Sequence, residues 1–290
     1  MFIDLQLHST YSDGYLTPTE LARFLHKNCI KIASLTDHNT VSGLNEFTLA
    51  CAKFNIKTIP GIEIYLKIND VKLNILWYNF DQNSPELHDL LRKSQINRKK
   101  KVRQILQNLK DIGFKIDLNK ILDQYTHYTP INQVADDFFN IKFNENKIKK
   151  ELKLKNITQY DIIKNYFHNP QIGVLENSFI DLKKIMELRK KIGGQIILNH
   201  PGKYGKIKRE IFYDFKKRGL DGVEILSPHH SIGDIMFGQT LAEELNWIQS
   251  GGSDFHLNSD NKYLIKNSLQ YFKIDSKYLK NINKILKNLS

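Results

Sequence analysis

Short apolar runs that are rich in β-branched residues alternate along the chain with segments of helical pattern. Six of these runs predict strands, at residues 2–7, 31–35, 57–59, 195–198, 222–226 and 247–249. The clearest helix start lies at Thr17, where a threonine cap is followed by Pro18 and, three residues after the cap, by Glu20. Regular alternation of strands and helices favours a parallel sheet or barrel of the α/β class.

Two segments interrupt this alternation. Residues 63–80 predict a hairpin with Asn69 and Asp70 at its turn. From about residue 84 to residue 177, helical patterns that include the basic stretch at 97–103 replace the strands. We expect a single domain over 1–290 with a mostly helical insertion at about 84–177. The alternative is that this segment is a long outer layer of the same domain.

The composition is that of a globular protein, with 41% hydrophobic and 26% charged residues, which excludes a disordered or fibrous chain. A net charge of +12 favours an anionic partner, although lysine is abundant from end to end. No apolar run approaches the roughly 20 residues of a membrane-spanning helix, and MFIDLQLHST lacks a basic segment followed by an apolar one, so export is not expected. Cys29 and Cys51 are expected to be buried free thiols, and a cytoplasmic location is expected.

Histidine or carboxylate residues follow five of the predicted strands. In a parallel α/β barrel these positions lie on one rim, where active sites of such folds are found. Singly, each residue has an ordinary explanation as a turn residue, a helix cap or a buried imidazole. Together they favour a site for Mn, Fe or Zn and metal-assisted hydrolysis. The residues are His8, Asp13, His38, Glu63, His200, Asp254 and His256.

The motifs that contain these residues resemble those of the PHP (polymerase and histidinol phosphatase) family of metal-dependent phosphoesterases. Within that family the sequence looks most like the branch of 3′,5′-nucleoside bisphosphate phosphatases and 5′ to 3′ exoribonucleases of the RNase AM type. The resemblance covers nearly the whole chain. It rests on Asp4-Leu5-Gln6-Leu7-His8-Ser9, Ser12-Asp13-Gly14, Thr36-Asp37-His38, Gly61-Ile62-Glu63, His200-Pro201 and Gly252-Ser253-Asp254-Phe255-His256.

The resemblance implies a distorted (β/α)₇ barrel that holds up to three divalent ions, usually Mn²⁺. It assigns His8, Glu63 and Asp254 to a first ion, and it makes Glu63 a bridge to a second ion that His200 also binds. Asp13, His38 and His256 would hold the third ion. Glu63, Asp254 and His200 would be catalytic, with a metal-bound hydroxide attacking phosphorus. The implied substrates are 3′,5′-nucleoside bisphosphates or short 5′-phosphorylated RNA, with no membrane partner and no protein partner indicated.

The sequence departs from the family pattern at several positions. Gln6 replaces the first histidine of a His-x-His pair, and Asn74 stands where a histidine of the hairpin is expected. An amide oxygen is a weaker ligand than imidazole for borderline metals, so both positions are expected to weaken the first two sites. Ile131 and Gln133 replace an Arg-x-His pattern. Three alternatives remain: a working phosphoesterase, a degenerate relative that binds nucleotides or RNA with weak or no catalysis, and a structural protein.

Other residues have secondary roles in this scheme. Lys203, Arg98 and Lys101 are candidates for phosphate contacts, although Lys101 better suits an exposed helix face. Glu224 is expected either to orient a ligand histidine or to lie at the surface. Of the adjacent residues His229 and His230, at most one is expected to point towards the site. Phe255 is expected in the packed core.

Overall fold

The computed structural model describes residues 1–68, 71–174, 179–205, 208–256 and 272–287. It divides into two compact units. The first unit comprises residues 1–88 with 180–290, and the second comprises residues 89–179. The predicted turn residues of the hairpin, Asn69 and Asp70, lie outside the described residues.

Strands and helices alternate through the first unit, whereas the second unit is described by helices. The strands are β1 (Phe2–Leu7), β2 (Ile32–Leu35), β3 (Lys57–Thr58), β4 (Gly61–Ile68), β5 (Val71–Tyr78), β6 (Ile180–Asp181), β7 (Gln195–Leu198), β8 (Gly222–Leu226), β9 (Ile248–Gly251) and β10 (Ile274–Asp275). The α-helices are α1 (Pro18–Lys27), α2 (Leu44–Ala52), α3 (Pro85–Asp111), α4 (Leu118–Leu122), α5 (Ile131–Phe139), α6 (Lys142–Leu152), α7 (Gln159–Ile162), α8 (Leu182–Ile192), α9 (Arg209–Lys217), α10 (Ile232–Glu244) and α11 (Asn283–Leu286).

The described strands form two sheets, in the orders β10-β1-β2-β3 and β6-β4-β5-β7-β8-β9. Strands β1, β2 and β3 run parallel, as do β7, β8 and β9. The hairpin β4–β5 is antiparallel and pairs through β5 with β7. Two isolated parallel bridges link the sheets, from Leu7 to Phe255 and from His38 to Glu63. The predicted α/β class with parallel sheets is confirmed, whereas the seven-stranded barrel stays a prediction.

Strand β1 is buried on both of its faces, so its polar side chains lie in the interior of the protein. Ile3, Leu5 and Leu7 on one face are fully buried, and Asp4 and Gln6 on the other face are fully buried as well. Strands of a parallel sheet that is covered on both sides have this pattern. The strand bounds 2–7, 195–198 and 222–226 agree with the sequence prediction.

Helix α1 begins as the sequence indicates. Thr17 accepts a hydrogen bond from the Glu20 amide, and the Glu20 carboxylate accepts one from the Thr17 amide. This reciprocal arrangement, with Pro18 at the first helical position, satisfies two amides at the helix start and contributes about 1 kcal/mol.

A separate apolar core lies inside the second unit. Helix α3 contributes Val102, Ile105 and Leu109 at helical spacing, and these side chains are fully buried. The rings of Phe114 and Phe138 meet edge to face in the same cluster. Each such side chain stabilises the unit by about 1.5–3 kcal/mol. The assignment of this unit as an insertion into one domain stays a prediction.

The sequence makes predictions about membrane-spanning helices and about the two cysteines. Among the described residues, no helix combines the length and the apolar character that crossing a membrane requires. Cys51 is buried, and burial raises the pKa of its thiol to about 12. The prediction that Cys29 is also buried is wrong, because this residue follows the last turn of α1 and is exposed.

Candidate metal centre

Glu63 on β4 lies between histidines from three different segments. Its Oε2 is 3.1 Å from Nε2 of His8 and 3.8 Å from Nδ1 of His38, whereas its Oε1 is 3.3 Å from Nε2 of His200. Gly61 allows β4 to approach β2 at this point, since a Cβ there would lie 2.1 Å from Oγ of Ser34. The hairpin therefore delivers a buried carboxylate to the ends of β1, β2 and β7.

Asp254 follows β9, and its two carboxylate oxygens also face different histidines. Its Oδ1 is 3.1 Å from Nε2 of His8, and its Oδ2 is 2.7 Å from Nε2 of His229. The backbone of Asp254 has a φ of +48°, a left-handed conformation that aspartate tolerates better than most residues. Asp254 therefore joins the His8 group to a histidine on the turn after β8.

Asp13 forms the centre of a second group of ligand-type residues. Its Oδ1 is 3.2 Å from Nε2 of His256 and 3.5 Å from Nδ1 of His8, and its Oδ2 is 3.5 Å from Nε2 of His38. The rings of His8 and His256 stack with their centroids 4.2 Å apart. His8 thus takes part in both groups, through its two different nitrogens.

The nitrogen and oxygen atoms of these residues converge closely enough to suit divalent ions. Two groups have their donor atoms within 4.8 Å of one another, namely His8, Glu63 and Asp254, and His8, Asp13, His38 and His256. Mixed imidazole and carboxylate ligands suit zinc and borderline first-row metals. The residues present therefore fit such ions.

His200 adds an independent observation in favour of an ion. Its side chain is 1% exposed, yet neither ring nitrogen has a hydrogen-bond partner among the described residues. Nε2 faces Glu63 at 3.3 Å, but without the geometry of a hydrogen bond. Buried polar groups are nearly always paired, and an unpaired one costs about 1–3 kcal/mol. Coordination of an ion by this imidazole would remove that penalty.

Charges within the cluster are strongly coupled. Burial opposes the ionisation of Glu63 and Asp254, but the surrounding imidazoles outweigh it and hold the pKa of each carboxyl well below its usual range. Burial also opposes protonation of His8, but Asp254 and Glu63 prevail and raise its pKa well above the usual value. For His38, burial prevails and lowers the pKa to about 4. Without an ion, the cluster therefore holds ionised carboxylates beside a protonated His8.

Two further buried carboxylates support the loops that carry these residues. Asp37 accepts hydrogen bonds from the amide and the hydroxyl of Ser9, at 2.7 and 2.6 Å. Asp4 does the same for Ser253, at 2.9 and 2.6 Å. The sequence does not indicate these supporting roles, because each depends on a partner that is distant along the chain. Both aspartates nevertheless lie inside the motifs that contain His8 and His38.

The two substituted positions, Gln6 and Asn74, both face the cluster. The Gln6 amide nitrogen donates hydrogen bonds to Oδ1 of Asp254 at 2.9 Å and to Oε2 of Glu63 at 3.3 Å. The Asn74 amide nitrogen donates to Oε1 of Glu63 at 2.5 Å. Each amide thus contacts the carboxylates that the sequence predicts as ligands, and their role as weak ligands stays a prediction.

The predicted phosphate contacts have different surroundings. Lys203 is exposed on the 3₁₀ turn Pro201–Tyr204, and its charge contributes to the low pKa of Asp254. In the second unit, Nε of Arg98 donates to the Thr129 carbonyl at 2.6 Å, and its guanidinium lies 4.5 Å from the centre of the Tyr128 ring. Lys101 is half-buried on the same helix. Contact of these three side chains with a substrate stays a prediction.

The remaining predicted positions are also described. Glu224 is fully buried, so the alternative of surface exposure is wrong. Its Oε2 accepts a hydrogen bond from the His200 amide at 3.1 Å, and burial raises its pKa well above the usual value. His229 faces Asp254, whereas Nδ1 of the adjacent His230 lies 2.8 Å from the Ile225 carbonyl, so only one of the two points into the cluster.

Phe255, Ile131 and Gln133 complete the predicted positions. Phe255 is buried and stacks on Phe24 at 4.6 Å between ring centres, as expected for a core residue. Ile131 and Gln133 lie in the first turn of α5, in the second unit. Ile131 packs against the apolar core there, so its side chain has a structural role in that unit.

Known proteins resemble this chain over most of its length. It is 28% identical over 256 residues to a 5′-3′ exoribonuclease of Haemophilus influenzae, a match that covers 87% of this chain and 89% of the relative. It is 24% identical over 257 residues to a 3′,5′-nucleoside bisphosphate phosphatase of Chromobacterium violaceum, covering 88% and 87% of the two chains.

A solved structure from Bifidobacterium adolescentis shares the fold, with a TM-score of 0.77, 19% identity and coverage of 99% of this chain and 96% of that one. The PHP domain family matches residues 4–224, which is more than half of the chain and includes all the candidate ligands except Asp254 and His256. The protein belongs to the PHP domain family.

Proposed function

We propose that this protein is a metal-dependent hydrolase of phosphoester bonds that acts on nucleotides. Its substrates would be 3′,5′-nucleoside bisphosphates, from which it releases phosphate, or short 5′-phosphorylated RNA, from which it removes nucleotides in the 5′ to 3′ direction. The observation that carries the proposal is the position of Glu63, whose two oxygens face His8 and His200 in a buried cluster of histidines and carboxylates. The curated relatives with these two activities support the choice of substrate.

The ion we propose is Mn²⁺, in up to three sites. His8, Glu63 and Asp254 would hold the first ion, and Asp13, His38 and His256, with His8 beside them, would hold another. When bound, such ions lower the pKa of water and neutralise charge on phosphoryl oxygens. The ligand set and the chemistry of phosphoester cleavage therefore match.

The protein's own residues would prepare the site for this reaction. Glu63 and Asp254 hold negative charge in a buried position and so concentrate cations there. Lys203, exposed beside them, offers a positive group for a terminal phosphate. Asp4 and Asp37 keep the ligand-bearing loops in place through their serine contacts.

The two sheets of the first unit would form the distorted barrel of this family. The bridges from Leu7 to Phe255 and from His38 to Glu63 join one sheet to the other at two places. Closure there would place the ends of β1, β2, β7 and β9 and the start of β4 around one opening, which agrees with the proposed position of the active site.

The test is hydrolysis by the purified protein with and without added Mn²⁺. We expect phosphate release from adenosine 3′,5′-bisphosphate, or mononucleotide release from a short 5′-phosphorylated RNA, and we expect a chelator to abolish it. Asp254→Asn should reduce the rate by roughly 100-fold or more, whereas Asp89→Asn, at an exposed site in α3, should not. Absence of both activities, with no effect of Asp254→Asn, would refute the proposal. RNA binding that survives chelation, without turnover, would instead support a degenerate binding protein.

A further inference from the structure

We propose that His229 is a ligand of a second divalent ion, together with His200, Glu63 and Asp254. The inference rests on the proposed metal-dependent function, and it assigns His229 a role that its sequence context does not indicate. It follows from how the two carboxylates share their oxygens, from the surroundings of His200 and from the packing of two loops.

In both Glu63 and Asp254, one carboxylate oxygen faces His8 and the other faces a different histidine. Oε2 of Glu63 and Oδ1 of Asp254 each lie 3.1 Å from Nε2 of His8 and so belong to the first group of ligands. The other two oxygens face different imidazoles: Oε1 of Glu63 faces His200 at 3.3 Å, and Oδ2 of Asp254 faces His229 at 2.7 Å. Two carboxylate oxygens and two imidazoles therefore lie on the side of the cluster away from His8, where the Asn74 amide nitrogen also donates to Oε1 of Glu63.

The two imidazoles lie close to each other. The rings of His200 and His229 meet edge to face, with their centres 5.2 Å apart. His200 is buried and lacks a hydrogen-bond partner for either ring nitrogen among the described residues, so the site contains a nitrogen ligand that nothing else uses. Two imidazoles and two carboxylate oxygens are a suitable ligand set for Mn²⁺ or Zn²⁺.

Gly202 allows the two histidine-bearing loops to approach each other closely. A Cβ at this position would lie 2.7 Å from the His230 ring and 3.0 Å from the His229 carbonyl oxygen. The turn after β7, which carries His200, therefore packs directly on the turn after β8, which carries His229. His200 and His229 are therefore carried by two turns whose backbones are in close contact.

His229 lies at the exposed edge of the cluster. Its side chain is 32% exposed and that of His256 24%, compared with 0% for His8 and 1% for His200. An ion held there would be close to solvent, so a substrate oxygen could reach it, as catalytic metal sites require.

The alternative is that His229 only donates a hydrogen bond to Asp254 and so positions it. The variant His229→Asp separates the two roles, because an ionised aspartate can bind an ion but cannot donate to Asp254. His229→Ala removes both capacities. His88→Ala is the matched control, since His88 is an exposed histidine that bonds to the Gln82 carbonyl.

The measurement is the number of Mn²⁺ ions bound per chain after equilibrium dialysis, with thermal unfolding of the metal-free variants to verify that they fold. We expect His229→Ala to bind one ion fewer than the wild type, or to bind its weakest ion at least about ten-fold less tightly. We expect His229→Asp to restore binding at least in part and His88→Ala to match the wild type.

Equal binding by the wild type and His229→Ala would overturn the inference, and so would loss of an ion in both His229→Ala and His229→Asp. In either case Mn²⁺-dependent phosphate release by the wild type would leave the proposed function standing. If the wild type itself binds no Mn²⁺ and releases no phosphate, both the inference and the proposed function fail.

Discussion

Asp4 and Ser253 lie 249 positions apart in the sequence and are joined by two hydrogen bonds, from the amide and the hydroxyl of Ser253 to the Asp4 carboxylate. These bonds hold the segment that carries Asp254 and His256 against β1, which carries His8 at its end. The position of two candidate ligands relative to a third therefore depends on one buried carboxylate outside the ligand set.

The first prediction concerns the pH dependence of stability. Burial raises the pKa of Asp4 from 3.8 to about 7, so the folded chain retains this proton at pH values where the unfolded chain has lost it. The contribution of Asp4 to stability is complete below about pH 4 and is lost as the pH rises through about 7. At about 1.4 kcal/mol per pKa unit the loss amounts to a few kcal/mol.

Urea unfolding of the metal-free protein between about pH 5 and about pH 8 measures this effect. Asp4→Asn keeps one oxygen acceptor but cannot ionise, so its stability should fall less steeply over this range than that of the wild type. Parallel curves for the two proteins would show that Asp4 does not titrate as expected.

The second prediction concerns the pH dependence of Mn²⁺ binding. Burial opposes protonation of His8, but Asp254 and Glu63 outweigh it and raise its pKa well above 6.5. An ion must displace this proton, so Mn²⁺ affinity should increase with pH between about pH 6 and about pH 8, with release of protons on binding. Calorimetry in buffers of different ionisation enthalpy measures the number of protons released. Binding without proton release would contradict the prediction.

The third prediction concerns the two amides that face the carboxylates. The double variant Gln6→His with Asn74→His supplies imidazoles in place of amides that now donate to Glu63 and Asp254. We expect Mn²⁺ affinity to increase by roughly ten-fold, with a higher rate when Mn²⁺ is limiting. Gln104→His, at an exposed position on α3, is the control and should change neither quantity. Unchanged affinity in the double variant would show that Gln6 and Asn74 do not limit metal binding.

The fourth prediction concerns recognition of the substrate phosphate. Lys203 is exposed and close enough to Asp254 to lower the pKa of that carboxyl. Lys203→Ala should raise KM for a nucleoside bisphosphate by roughly ten-fold and change kcat less, because it removes a charge-assisted contact. Lys217→Ala, at an exposed site on α9, should leave both constants unchanged. A fall in kcat alone would place Lys203 in a different role.

The parts of the fold that depend on local sequence could be predicted. Runs of β-branched residues between turn residues indicate β1, β7 and β8. The reciprocal capping pattern of Thr17 and Glu20 indicates the start of α1. The convergence of His8 and Asp254 follows from a rule about where the strands of α/β folds end, whereas Glu63 lies near the start of β4. These features need little knowledge of three-dimensional contacts.

Features that depend on distant contacts could not be predicted from the sequence. The carboxylate of Asp4 bonds to Ser253, and the close approach of the His229 loop to the turn after β7 depends on Gly202. The exposure of Cys29 depends on how the chain leaves α1 with a φ of +62°. Each of these features depends on packing between segments or on a single backbone torsion. Composition and residue spacing specify neither.

The central claim is that the cluster around Glu63 binds catalytic metal ions. Elemental analysis of the purified protein, after dialysis against Mn²⁺ and removal of free ions, tests it most directly. Two or three equivalents of Mn²⁺ per chain, reduced by at least one in Glu63→Gln and unchanged in Asp89→Asn, are the predicted result. No bound metal in the wild type, or equal metal content in the wild type and Glu63→Gln, would contradict the account.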